Sequence, residues 1–388
     1  MFIQITHFSK QQTTILKGLG ILLIVLHNFY HNLTPVIGEN EFSFSADIFW
    51  NYYRVMQASP ENLLRVLFSY FGHYGVQVFI FFSSYGLTRK YYQLPLITSQ
   101  FLVGRIKKIY LSFLICIASY IILGVIKAEF LSDEKIFYWG SLLWKVLLIS
   151  NFMPGQALMP VGPWWFIPFI FQVYVLFPWL LRCYQKQGAK FLVLISLVGI
   201  LLELQLNPYW MTKQLNINYT VFGHLPLICF GMFFAAQKRI NLIVLAISVT
   251  CSFCLMVLAN FYTDAWVLSD VALVIIGLAI FTKLFKALSA WPLIEKCLLF
   301  YGELSFHLFM VNGFLRSPFH AVAEGYHIWW LDNLAALIFL LFATFYAVAL
   351  QRLDEKLRAI VCKLAYVIPC LLSLECGNVS TNSSFVIV

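Results

Sequence analysis

Charged residues are scarce in this sequence of 388 residues. Only 11% of the chain is Asp, Glu, Lys or Arg, whereas soluble domains have about a quarter. Hydrophobic residues make up 61%, so there is too little polar surface to cover a water-soluble globule. The first apolar run exceeds a signal-peptide core, carries two histidines and lacks a small-residue cleavage site, which argues against a cleaved signal peptide. We therefore expect a polytopic integral membrane protein.

A disulfide framework is also missing from the pattern. Most of the nine cysteines fall in apolar runs or near the C-terminus, and the expected outward loops contain no pair of them. Cys251 and Cys254 form a CxxC inside an apolar run without further ligands, which favours packing over a four-ligand zinc site. We detect no internal repeat and no soluble catalytic domain. Any chemistry must therefore lie within or beside the membrane spans.

Apolar runs of membrane-spanning length recur along the chain and predict an all-α fold of about ten transmembrane helices. We place them at residues 14–34, 66–87, 107–126, 163–182, 190–206, 221–236, 240–261, 268–287, 298–316 and 332–350. With both termini cytoplasmic, most of the 26 cations lie on the cytoplasmic side, as the positive-inside rule requires. The net charge of +9 is thus explained by membrane topology, which argues against nucleic acid as a partner. We predict one transmembrane domain over residues 1–360 and a partly disordered cytoplasmic tail over 361–388.

Titratable groups inside membrane spans are costly and mark functional sites by default. The first span places His27 and His31 on one face, one turn apart, with His27 about 15 Å from Lys17 along the helix. A neutral imidazole at that depth has the chemistry to take a proton from an alcohol. A histidine that only hydrogen-bonds between helices is an equally weighted alternative. The HxxxH spacing lacks an evident third ligand, so we expect no metal. Glu303 is the acidic group in the ninth predicted span.

Five short motifs follow one another between residues 14 and 316. In chain order they read "LKGLGILLIVLHNF", "GVQVFIFFSSYGL", "GRIKKIY", "GPWWFIPFIFQVYVLFP" and "YGELSFHLFMVN". Each motif is degenerate, but their order resembles that of the membrane-bound acyltransferase-3 family. Members of that family O-acylate polysaccharides, lipids and peptidoglycan.

Two positions depart from the pattern of that family. Its members often place an arginine and a histidine eleven residues apart in the first helix. Here Lys17 replaces the arginine, Asn28 occupies the histidine position, and His27 precedes it by one residue. The last motif usually ends in histidine and here ends in Asn312. The resemblance implies His27 as the catalytic histidine, with His31 as the alternative, and the two asparagines raise the alternative of a catalytically degenerate member.

The resemblance further implies acyl transfer from cytoplasmic acyl-CoA, by expectation acetyl-CoA, without a bound cofactor. The acceptor would be a hydroxyl of a cell-surface glycan or lipid-linked saccharide at the inner membrane, in contact with membrane lipids. His27 would act as general base or transient acyl carrier, and Glu303 would polarise it or hold a proton.

Donor binding is the second role that the resemblance assigns. The candidate residues are cations suited to CoA phosphates and two aromatic residues suited to a pantetheine or acyl channel: Lys17, Arg105, Lys107, Lys108, Trp165 and Tyr174. A solvated basic cluster and ordinary packing are the structural alternatives. A transporter or flippase of a lipid-linked sugar is the main rival function, although the sequence lacks two-half symmetry and matched broken helices.

Overall fold

The computed structural model describes residues 2–4, 7–34, 38–131 and 138–367, and the structural statements below refer to these residues. The α-helices are α1 (Lys10–Tyr30), α2 (Ala46–Ala58), α3 (Leu63–Phe71), α4 (Gly75–Tyr91), α5 (Thr98–Leu131), α6 (Trp139–Val146), α7 (Phe166–Gln187), α8 (Ala189–Leu201), α9 (Asn207–Met211), α10 (Leu225–Ala236), α11 (Leu242–Leu258), α12 (Thr263–Trp266), α13 (Ser269–Ser289), α14 (Pro292–Leu315), α15 (Ser317–Tyr326) and α16 (Trp329–Val367). A π-helical turn over Leu202–Leu206 joins α8 to α9. Short 3₁₀ turns cover Pro60–Asn62, Gly72–Tyr74, Ser150–Phe152, Gly162–Trp165 and Ile217–Tyr219.

The prediction of an all-helical fold is confirmed, apart from one small antiparallel pair of strands. These are β1 (Phe2–Gln4) and β2 (Arg239–Asn241), paired so that Ile3 lies opposite Ile240.

Membrane crossing is supported by the length and composition of the helices. Seven helical stretches are long and apolar enough to span a bilayer: Lys10–Tyr30, Pro60–Tyr91, Thr98–Glu129, Gly162–Gln187, Ala189–Met211, Pro292–Leu315 and Trp329–Val361. Three shorter apolar helices, Leu225–Ala236, Leu242–Leu258 and Ser269–Phe281, lie where three further spans are predicted. The chain is a multi-pass membrane protein, while the count of ten crossings and the orientation of the termini stay predictions.

Helix α1 begins at a complete capping box. The Ser9 hydroxyl accepts a hydrogen bond from the Gln12 backbone N–H at 3.1 Å, and the Gln12 side chain accepts one from the Ser9 N–H at 2.9 Å. These bonds satisfy two of the amide donors that a helix start leaves without partners. The cap thus fixes the start of α1 about five turns before His27, the first of the histidines that the sequence singles out.

Helices α1 and α14 pack together at backbone distance. A Cβ atom added at Gly18 would lie 2.0 Å from the Leu298 carbonyl oxygen, and one added at Gly302 would lie 2.0 Å from the Thr14 carbonyl oxygen. Such approaches need small residues on both helices, as is common for helix pairs in membranes. The close crossing brings the C-terminal half of α14 alongside the histidine-bearing half of α1.

Helix α16 continues through the predicted domain boundary at residue 360 and ends at Val367. Most of the predicted C-terminal tail, residues 368–388, lies outside the described residues.

Candidate active site

A cavity of about 360 Å³, called the chamber, lies at the C-terminal end of α1. The walls combine α1, the segment that follows it, and the turn that precedes α7. The lining includes Ile24, His27, Asn28, His31, Glu39, Glu41, Phe42, His73, Val76, Trp165, Phe309 and Arg316. Ionisable groups of both signs therefore face one enclosed space.

His27 is held in a single tautomer by the backbone of α3. The ring is 3% exposed, and its Nδ1 lies 3.2 Å from the carbonyl oxygen of Phe68. Because a carbonyl oxygen only accepts hydrogen bonds, Nδ1 must carry the proton in that bond. The other nitrogen, Nε2, lies 3.7 Å from the Glu41 carboxylate. Nε2 is therefore the nitrogen that can take up a proton inside the chamber.

Three imidazole rings meet at this position. His31 stacks on His27, with ring centroids 4.7 Å apart and ring planes 11° apart, and its Nδ1 lies 2.9 Å from the His27 carbonyl oxygen. The predicted shared face of His27 and His31 is therefore present. The His73 ring lies edge-on to His27 at 5.6 Å, because Gly72 lets the turn before α4 press against α1. A Cβ atom at Gly72 would lie 2.6 Å from the Cβ of His27.

Two carboxylates of the chamber, Glu39 and Glu41, come from the loop after α1. Burial raises the pKa of Glu39, the charge of His27 lowers it and that of Glu41 raises it, and together they bring this pKa to about 7. One donor atom each from His27, Glu39 and Glu41 lies within 4.8 Å of the others. A nitrogen and two carboxylates can share a proton, and the same donor set suits a divalent cation. The sequence analysis expected no metal and assigned neither carboxylate to the site, because both lie outside the predicted spans.

A second cavity, of about 580 Å³ and called the mouth, lies where α4 ends and α5 begins. Lys90, Arg105 and Lys108 contribute its cations. The Arg105 guanidinium lies over the Tyr174 ring, 5.3 Å from its centroid. Of the predicted donor-binding residues, Arg105 and Lys108 line this cavity, whereas Lys107 is exposed and lies outside the lining.

A narrow space of about 40 Å³, called the neck, lies inside the helix bundle between these two cavities. Its lining includes Lys17, Ile24, Val76, Ser83, Ile170, Tyr174, Ser305 and Phe309. Ile24, Val76 and Phe309 also line the chamber, and Tyr174 connects the neck to Arg105 of the mouth. The structure thus places Lys17 and Tyr174 between the mouth and the chamber.

Glu303 does not join the site. It is exposed on α14 and lines none of the three cavities. The reason is helical geometry: Ser305 faces the neck, and two residues correspond to about 200° of rotation, which turns Glu303 to the opposite face. The carboxylate that accompanies His27 is that of Glu41.

Trp165 lines the chamber and is positioned by neighbouring backbone contacts. The Asn151 side-chain amide donates to the carbonyl oxygens of Trp165 at 2.9 Å and Tyr219 at 2.6 Å. Phe42 meets the Trp165 ring edge-on, with centroids 5.2 Å apart. Because Asn151 is itself buried, this arrangement fixes an aromatic surface in the same chamber as the carboxylates.

The two departures from the expected sequence pattern meet each other in space. The Asn28 side-chain amide donates to the Asn312 side-chain oxygen at 2.9 Å, and Asn312 is completely buried. Next to this pair, the Arg316 guanidinium donates to the Asn28 carbonyl oxygen. The sequence analysis did not select Arg316, because it lies at the end of a predicted span where a cation is expected to reach water.

Comparison with known proteins gives one match. A family model described as an acyltransferase domain, acyltransferase-3, matches residues 13–352. No curated protein and no solved structure matches the chain. The matched range covers every element that builds the mouth, the neck and the chamber. The chain therefore belongs to the acyltransferase-3 family and is a membrane acyltransferase.

Proposed function

We propose that this acyltransferase moves an acyl group, most simply acetyl, from cytoplasmic acyl-CoA to a hydroxyl of a cell-surface glycan or its lipid-linked precursor. The membrane would be the cell inner membrane. The main observation behind the proposal is a series of three spaces that runs from the end of α4 to the C-terminal end of α1. A basic mouth leads to a narrow neck, and the neck shares lining residues with a chamber that contains a histidine and two carboxylates.

The mouth suits the donor, since CoA carries phosphates that guanidinium and ammonium groups bind. Arg105 and Lys108 would hold these phosphates, while the pantetheine arm would enter the neck between Lys17 and Tyr174. Along α1 the distance from Lys17 to His27 is about 15 Å, so an extended arm is needed to deliver the thioester. The proposed orientation places the mouth on the cytoplasmic side.

The chamber suits a sugar hydroxyl. Carboxylates accept hydrogen bonds from hydroxyl groups, and Glu39 and Glu41 lie together on one wall. Trp165 and Phe42 present aromatic surface on which the apolar face of a sugar ring can pack. A polyhydroxylated acceptor would therefore find both kinds of contact beside Nε2 of His27.

The transfer step follows from the tautomer of His27. The acceptor hydroxyl attacks the thioester carbonyl carbon while Nε2 takes its proton, a contribution typical of general bases. The nearby Glu41 carboxylate stabilises the resulting imidazolium. Collapse of the tetrahedral intermediate breaks the C–S bond, and the leaving CoA thiolate takes up the proton from the His27 imidazolium, which restores the neutral base. His27 acting as a transient acyl carrier is the covalent version of the same step.

The proposal is tested by donor consumption in membranes that contain the protein. Wild-type membranes should release free thiol from acetyl-CoA and add acetyl groups to surface glycans, as read by mass spectrometry. The His27→Ala variant should lose both signals, whereas Glu303→Gln should keep them because that side chain lies outside the three cavities.

Other outcomes decide between the alternatives. Loss in His31→Ala with retention in His27→Ala would move the reacting base one turn outward. A wild-type protein that consumes no acyl-CoA would overturn the proposal. It would favour a transporter or a degenerate family member, the alternative that Asn28 and Asn312 suggest.

A further inference from the structure

We infer that Arg316 stabilises the oxyanion of the reaction, donating hydrogen bonds to the acyl carbonyl oxygen as negative charge develops on it. The inference rests on the proposed function, since it concerns the same chamber and the same transfer step. It assigns a catalytic role to a residue that no sequence motif marked.

The first argument is the distribution of charge in the chamber. Attack on a thioester concentrates negative charge on the former carbonyl oxygen, and enzymes stabilise it with fixed donors. The ionised Glu41 carboxylate does not serve this purpose, because it repels such an oxygen. Among the described residues that line the chamber, Arg316 is the single Lys or Arg. It is therefore the permanent cation that this space offers to an oxyanion.

The second argument is that this charge is not neutralised by a carboxylate. The four ion pairs found among the described residues involve His27, His224, His307 and Arg358. The Arg316 guanidinium instead donates to a neutral carbonyl oxygen, that of Asn28. A guanidinium has five N–H donors in a planar fork, so donors remain for a substrate oxygen.

The third argument is preorganisation. The contact with Asn28 anchors the guanidinium, which projects from the end of α14, to the backbone of α1 next to His27. The Asn28 side chain is in turn held by Asn312, whose own amide group donates to the carbonyl oxygen of Phe309 at 2.5 Å. A donor fixed before the reaction stabilises the transition state without a reorganisation cost. The Asn28–Asn312 pair thus acquires a positioning role for Arg316.

The experiment measures hydrolysis of acetyl-CoA as free thiol, with water as the acceptor, in Arg316→Gln, Arg316→Lys and Arg316→Ala. Hydrolysis passes through the same oxyanion but needs no glycan. The assay therefore separates a role of Arg316 in stabilising the acyl oxygen from a role in binding the glycan acceptor. We expect Arg316→Gln to lower kcat by about 100-fold or more, with the KM for acetyl-CoA nearly unchanged. Arg316→Lys should retain intermediate activity, and added guanidinium should partly restore Arg316→Ala.

The matched control is Arg54→Gln. Arg54 is an exposed arginine on α2, outside the three cavities, and its replacement should leave the hydrolysis rate unchanged.

Each contrary result has a distinct meaning. Normal hydrolysis in Arg316→Gln, with loss only of glycan transfer, would overturn the inference in favour of acceptor recognition. Equal loss in all three variants, without rescue and with a lowered melting temperature, would reduce Arg316 to a structural tie between α14 and α1. Absence of hydrolysis and transfer in the wild type would instead remove the proposed function, and the inference with it.

Discussion

The protonation of Glu39 is the most direct physical consequence of the chamber. Burial raises the pKa of this carboxyl from 4.5 to about 7, a difference of about 2.5 pH units that corresponds to at most about 3.4 kcal/mol. Infrared difference spectroscopy of the purified protein should show a protonated carboxyl band that disappears with a midpoint near pH 7. The band should be missing in Glu39→Gln and present in Glu61→Gln. The control Glu61→Gln alters an exposed carboxylate in the turn between α2 and α3.

The neighbours of Glu39 fix the direction of two further changes. His27 lowers the pKa of Glu39 and Glu41 raises it, so His27→Ala should move the midpoint upward and Glu41→Gln should move it downward. A midpoint near 4.5 in the wild type, or equal midpoints in both variants, would refute the arrangement of these three groups.

The raised pKa of Glu39 also predicts that the stability of the protein depends on pH. The carboxyl has a higher pKa in the folded state than in the unfolded state, so its contribution to stability is complete below pH 4.5. This contribution is lost progressively as the pH rises to about 7. Thermal unfolding in detergent should therefore show a steeper decline over this window in the wild type than in Glu39→Gln. Parallel declines in the two proteins would contradict the raised pKa.

Three further predictions concern the neck, the asparagine pair and metals. A phenyl ring in place of the Ser83 hydroxyl would fill the neck of about 40 Å³ and block the pantetheine arm, so Ser83→Phe should reduce acetyl-CoA hydrolysis about 100-fold while Ser83→Ala retains it. Equal rates in the two variants would argue against delivery through the neck. Asn28→Ala and Asn312→Ala should show a coupling of about 1 kcal/mol in a double-mutant cycle of unfolding, and additive effects would deny the bond. Removal of divalent cations with a chelator should leave hydrolysis intact, because Nε2 of His27 must be free of metal to take up a proton from the attacking oxygen. Loss of hydrolysis that zinc restores would instead identify a cation site.

Local pattern in the sequence was enough for the class of fold and for the principal helix of the site. Apolar runs require backbone hydrogen bonds within each segment, so a helical membrane protein follows from composition and length. The shared face of His27 and His31 follows from the helical repeat alone. The positive-inside rule assigned Lys17, Arg105 and Lys108 to one end of the bundle. The order of the short motifs was enough to recognise the family.

Tertiary packing decided which of these groups meet. Glu303 was assigned to His27 from its presence in a late span, but its helix turns it outward, and loop residues Glu39 and Glu41 fold back into the chamber instead. Such contacts join positions far apart in the chain, and their energies depend on burial and on the neighbouring charges.

Asn28 and Asn312 show most clearly that the sequence alone does not reveal which distant residues come into contact. The sequence presents them as two separate departures from a pattern, 284 positions apart. The close crossing of α1 and α14, permitted by Gly18 and Gly302, makes them one hydrogen-bonded pair beside Arg316. The sequence by itself determined which helices exist and which faces carry polar groups. Only the packed structure decided that an arginine, a histidine and two carboxylates share one cavity, because helix-to-helix distance is set by side-chain size at the crossing and not by local periodicity.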